Sequence, residues 1–212
     1  MIRRLRLELR NLRWLRLLPP LVALAFVPAL LLADLASYGW EPTVCSFTMR
    51  LTMQQFLPLF AAWWPLFIFR EYLDASGSEL LHVFRGNGDN LLLRALVLWG
   101  LYSAVAGLPF IVYARYWEQI GYLYLAVTLQ GLFFGMLAYC LAMWSRNTFL
   151  PLLACVLICV YTYLFPTARF SPFDYVDGFL ITAANQRKLC ILLGLAVALG
   201  GTGYLRERRL YR

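Results

Sequence analysis

Apolar residues fill six stretches of the 212-residue chain, and the polar ones collect between them. About 20 predominantly apolar residues are needed for a helix to cross the hydrocarbon core of a bilayer. That length predicts spans at 20–38, 55–69, 91–113, 122–144, 149–165 and 189–205, the second reaching full length only with polar residues at its ends. Tyr38, Trp40, Tyr113, Trp117, Tyr122, Trp144 and Tyr204 fall at the predicted ends, where an aromatic side chain keeps its apolar face in lipid and its polar tip in water. With no internal repeat and no low-complexity linker, 1–212 reads as one all-α integral membrane domain of six transmembrane helices.

Residues 1–19 follow another pattern. At 100° per residue, Ile2, Leu5, Leu9 and Leu12 share one arc, and Arg3, Arg6, Arg10 and Arg13 share the next. This predicts a basic amphipathic helix lying in the membrane interface, with Trp14 among the headgroups. The arginines continue to Arg16 and no small-residue cleavage site follows, so the stretch is not ordered as a signal peptide. Pro19 and Pro20 are expected to end this helix and open the first span.

The segment DASGSELLHVFRGNG, between the second and third spans, departs most from the apolar pattern. Ser76 and Glu79 stand in the S-x-x-E spacing of a capping box, and Gly86 supplies a C-terminal stop. They bound a helix of about nine residues, short of the roughly 12 at which an isolated helix is even marginal in water. It must therefore pack against something. Leu80, Leu81, Val83 and Phe84 provide the apolar side chains, with His82 and Arg85 at their polar rim.

Composition and charge settle the surroundings. Hydrophobic residues make up 62% of the chain and charged ones 14%, against about a quarter charged in a soluble domain. The net charge of +8 is arginine's, because Lys188 is the only lysine. Positive residues concentrate on the cytoplasmic side of membrane proteins. A cytoplasmic N-terminus puts fourteen of them inside and five, Arg50, Arg115, Arg169, Arg187 and Lys188, outside. Both termini are thus expected in the cytoplasm, as in a multi-pass protein of a bacterial-type inner (plasma) membrane. The basic balance needs no nucleic acid to explain it.

Candidate chemistry is sparse. No G-x-x-x-x-G-K-[ST] loop is present to cradle phosphates, and no HExxH or GxSxG motif occurs. The five cysteines include no CxxC pair, and four lie in apolar runs, where they read as small core residues with no metal role. Asp34 is the most conspicuous ionisable residue within a span, and membrane carboxylates usually face the interior.

The run FREYLDASGSELLHVFRGNGDNLLLRALV resembles the coupling segment of type-2 ABC exporter permeases. Asp74, Ser76-Gly77, Glu79-Leu80-Leu81 and the turn Arg85 to Asp89 carry the likeness, as do the six-span plan, the basic N-terminal helix and the stretch ARFSPFDYVDG. The resemblance implies a permease subunit that works with a second permease copy and a separate ATP-binding subunit. ATP and Mg would sit on that partner, with no cofactor on this chain. Ser76, Glu79, Leu80, Leu81, His82, Val83, Phe84 and Arg85 would form the docking helix. Arg3, Arg6, Arg10, Arg13 and Trp14 would lie on the interface helix among membrane lipids. The resemblance also sets spans one, two and five near the dimer centre, with Trp63, Trp64, Tyr161, Tyr163 and Asp34 as candidate path residues, and makes Thr167 to Lys188 an outer re-entrant segment. So apolar a path suits a peptide, lipid or drug better than an ion. Two other classes remain. One is a non-transporting adaptor or sensor subunit. The other is an intramembrane lipid-modifying enzyme, which would have to use Asp34, Asp74, Glu79 or His82.

Overall fold

The computed structural model describes residues 2–38, 42–73, 90–115, 120–164 and 182–210, and every regular element among them is helical. The α-helices are α1 (Ile2–Asn11), α2 (Leu18–Leu21), α3 (Val27–Tyr38), α4 (Pro42–Phe60), α5 (Trp63–Leu73), α6 (Leu91–Tyr113), α7 (Ile120–Ser145), α8 (Phe149–Leu164) and α9 (Ala183–Leu210). Four stretches are long and apolar enough to cross a membrane: Arg13–Asp34, α6, α7 and α9; α8 is a shorter apolar helix. Their outer faces carry Leu108, Ile111, Leu157, Val197 and Leu205, all more than half exposed. Lipid, rather than water, suits so much uncovered apolar surface.

The N-terminal break is not where the prolines predicted it. Helix α1 ends at Asn11, the chain turns at buried Leu12, and Arg13 adopts a left-handed φ of 48°. A 3-10 turn, Arg13–Leu17, then leads into α2, where Pro19 and Pro20 sit in the first turn. There the missing N–H groups would have been unbonded anyway, so the prolines start a helix without interrupting one. They do leave the Arg16 carbonyl without its helical donor. The indole Nε1 of Trp64 donates to that carbonyl at 3.1 Å and ties the elbow to α5. From α2 the chain continues through a π-helical segment, Val22–Phe26, into α3.

The second expected span is divided into α4 and α5 at Ala61–Ala62. Pro65 has no N–H for the Ala61 carbonyl, and its ring crowds that carbonyl. The turn tightens in response, with Ala61 N–H donating to the Pro58 carbonyl and Ala62 N–H to that of Leu59, both at 3.2 Å. This frees the Leu57 carbonyl, which the Tyr102 hydroxyl of α6 fills at 2.8 Å. A neighbouring helix re-satisfying freed backbone is what allows a break within an apolar bundle.

Helix α7 is the centre of the fold. In its apolar window 67% of residues are buried, against 33% or less in the other three candidate spans, and α4, α5, α6, α8 and α9 pack around it. Trp99 of α6 donates to the Thr128 carbonyl and Tyr124 donates to the Ser103 carbonyl, fixing α6 and α7 antiparallel. Gly200 and Gly203 of α9 lie against Met136 and Tyr139 of α7, fixing those two parallel. The alternation brings the end of α5, the start of α6, the end of α7 and the end of α9 together at one end of the bundle. Arg70, Arg94, Arg146, Arg206, Arg208 and Arg209 gather there as well.

Candidate functional site

At this arginine-rich end two carboxylates are buried, each reaching across a large sequence distance. Glu8 lies on α1, and Arg94, in the first turn of α6, is only 2% exposed. The Arg94 guanidinium donates to Glu8 Oε1 in an ion pair. Tyr72, in the last turn of α5, donates its hydroxyl to the same oxygen at 2.5 Å and accepts from Arg94 at 2.6 Å. The Arg94 guanidinium also lies 5.3 Å from the centre of the Tyr72 ring. Burial, then the hydrogen bond to Glu8, pushes the Tyr72 hydroxyl up to about 12, so it remains a donor at physiological pH. Burial and the charge of Glu8 also hold the neighbouring Glu71 carboxyl above its usual range. Glu8 Oε2 is buried without a hydrogen-bond partner among the described residues.

The second carboxylate, Glu207 near the end of α9, caps α6 from outside. A helix start leaves its first backbone N–H groups without helical acceptors, and here side chains fill three of them. Leu91 N–H donates to Glu207 Oε1 at 3.0 Å, and Leu92 and Leu93 N–H donate to the side chain of Asn90, after which Arg94 N–H makes the first helical bond, to the Asn90 carbonyl. The first turn of α6 contains no acidic residue, so Glu207 supplies the negative charge that the positive end of a helix favours. Its other oxygen accepts from Tyr139 of α7 at 2.5 Å. Gly203 makes the approach possible, because a Cβ there would lie 2.6 Å from the Tyr139 ring and 3.2 Å from the Cys140 backbone.

These contacts share a position. The segment 74–89 leaves α5 two residues after Tyr72 and enters α6 one residue before Asn90. Glu8 holds the departing root through Tyr72 and the returning root through Arg94, while Glu207 and Asn90 fix the first turn of α6. Both roots are thus tied to α1 through Glu8, and the root on α6 is tied through Glu207 and Tyr139 to α9 and α7. A buried ion pair gives little net stability after desolvation, and its best-attested use is to fix register.

The residues singled out in the sequence are dispersed relative to this cluster. Ser76, Glu79, Leu80, Leu81, His82, Val83, Phe84 and Arg85 lie outside the described residues, as do the side chains of Arg3, Arg6 and Tyr163. Arg10, Arg13 and Trp14 are exposed on the N-terminal elbow, Trp14 by 83%. Trp64 is buried, with its indole on the Arg16 carbonyl and its ring edge-on to Tyr102. Trp63 stacks between Phe60 and Phe67, Tyr161 is exposed on α8, and Asp34 is half-buried on α3.

Inside the bundle, the polar feature is a pair of glutamines. Gln130 Nε2 of α7 donates to Gln54 Oε1 of α4 at 3.2 Å, both side chains being buried. Beside them Gln55, Cys159 and Thr162 line a cavity of about 20 Å³, room for about one water molecule. Gln54, Gln130, Glu8, Asn90 and Glu207 are not among the residues singled out in the sequence. Asn90 directly before an apolar run was a readable N-cap signal, and Glu8 and Glu207 were lone acids inside arginine-rich stretches. Among the described residues no three His, Cys, Asp or Glu side chains converge as a metal site. Comparison with protein-family models, with characterised proteins and with solved structures gave no match, so a functional reading has these clusters and the membrane fold to rest on.

Proposed function

We propose that the chain is the transmembrane permease subunit of an ATP-driven ABC exporter, energised by a separate ATP-binding subunit and working with a second permease copy. In this reading the chain crosses the membrane six times, α4 with α5 and α8 completing the four longer spans, and both termini face the cytoplasm. Residues 76–85 dock the ATP-binding subunit, and the cargo is apolar or amphipathic.

The observation that supports it is the clamping of both roots of segment 74–89 by Glu8, Arg94, Tyr72, Asn90 and Glu207. A connecting loop has no need of buried charges at its base. A segment that converts the closure of an ATPase into helix motion needs roots that do not yield, and it needs a link to the interface helix, which Glu8 provides. The mostly apolar bundle interior matches the cargo class.

Leu81→Asp and Phe84→Asp test the docking. Each removes a side chain worth roughly 1.5 to 3 kcal/mol when buried and puts a charge in its place. Both variants should reach the membrane at normal levels, fail to retain an ATP-binding subunit in pull-downs, and lose transport. Normal association and transport in both would contradict the proposal.

A further inference from the structure

The N-terminal elbow borders a groove of about 540 Å³ between Asn11–Leu15 and the α5 residues Phe67, Arg70 and Glu71. This falls within the range of about 300 to 1,000 Å³ typical of ligand clefts. Its back wall is held firmly: Leu12 is buried and Trp64 hydrogen-bonds the Arg16 carbonyl. Its front is the reverse, since Arg13, Trp14 and Arg70 are all exposed. Arg13 sits in the left-handed region, which an ordinary side chain disfavours and which persists where surrounding structure enforces it, often at ligand sites. Glu71 is the lining carboxylate, and its burial, reinforced by Glu8, favours the neutral form.

We propose that this groove is a binding site for the phosphate headgroup of an anionic phospholipid, with Arg13 and Arg70 on the phosphate and Trp14, Leu15 and Phe67 against the glycerol and upper acyl chain. Two guanidiniums suit phosphate oxygens, which they bind by paired hydrogen bonds. The apolar lining selects a lipid over a soluble phosphate compound, as does the position at the base of the first apolar span. The assignment is independent of the transport reading, because it concerns only the elbow and its own lipid.

The test uses the full-length chain in nanodiscs of phosphatidylcholine with brominated phosphatidylglycerol, or of phosphatidylglycerol with brominated phosphatidylcholine, and reads quenching of Trp14 as the difference between the parent and Trp14→Phe. The wild type should be quenched preferentially by brominated phosphatidylglycerol. Arg13→Asn combined with Arg70→Gln should abolish the preference, each arginine contributing about fivefold in lipid affinity near a membrane surface. Asparagine tolerates the left-handed conformation, so the fold is kept, as circular dichroism should confirm. Arg208→Gln combined with Arg209→Gln removes equal charge from the same end and should keep the preference. Equal loss in both pairs would mean a diffuse basic surface and overturn the site. Displacement of the lipid by glycerophosphate in solution would make the occupant a soluble phosphate compound and overturn the lipid assignment.

Discussion

Glu8→Gln leaves the shape of the α1–α5–α6 junction almost unchanged and removes its negative charge. Gln Oε1 can still accept from both Tyr72 and Arg94, but the guanidinium loses its ion pair at 2% exposure. Breaking a buried pair from one side costs about 3 to 5 kcal/mol. The retained hydrogen bonds and the other contacts of Arg94 place the expectation lower, at about 2 to 3 kcal/mol, within the worth of a charge-assisted hydrogen bond. Arg94→Met should cost a similar amount by leaving Glu8 unpaired. Glu8→Gln combined with Arg94→Met removes both charges and should cost less than the two single changes summed, with a coupling within the roughly 0.5 to 3 kcal/mol seen for contacting residues. The assay is the midpoint of unfolding in a mild detergent for the parent, both singles and the double, with hydrogen exchange at Leu91 and Leu92 as a local readout. Exchange should rise in the single variants, since the first turn of α6 loses its tie to α1. Strictly additive midpoints, with exchange unchanged at Leu91 and Leu92, would refute the clamp.

Two further outcomes follow from the same end of the bundle. Glu71→Gln should raise stability at neutral pH and have no effect in acid: the folded pKa of Glu71 lies above its unfolded value, so the penalty is absent below the unfolded pKa and grows as pH rises to the folded one. A pH series of unfolding midpoints that kept a constant offset between the two proteins would contradict this. Gly203→Ala should destabilise by about 1 to 3 kcal/mol, as overpacking does, because its Cβ meets the Tyr139 ring at 2.6 Å and pulls that hydroxyl from Glu207. Gly201→Ala, which meets nothing within 4 Å, should be neutral or stabilising by up to about 1 kcal/mol, and unfolding curves of the pair check the contrast.

The apolar runs made four of the long helices legible, because in a bilayer length and hydropathy decide whether a helix can cross. Proline in context accounts for the differences. Pro19 and Pro20 open the first span as expected, but they do not end the helix before it, because that break falls at Leu12 and Arg13. Pro65 divided an expected span at Ala61–Ala62 because the carbonyl freed by the tight turn, that of Leu57, found a partner in Tyr102, 45 residues later in the chain. The buried carboxylates stayed hidden for a related reason. Glu8 meets Arg94 across 86 positions and Glu207 meets Leu91 across 116, and no local pattern encodes such pairs. In the sequence each is an acid among arginines, indistinguishable from a solvated surface charge.

Segment 76–85 is the point at which the proposed function is most exposed to test. A photoreactive amino acid at Leu81 of the full-length chain, irradiated in native membranes, reports directly what that segment touches. The account predicts a cross-link to a separate polypeptide that binds ATP, lost in Phe84→Asp, and no such product from a probe at Glu118. Cross-links from Leu81 only to lipid or to the chain's own helices, or an ATP-binding polypeptide captured from Glu118, would contradict it.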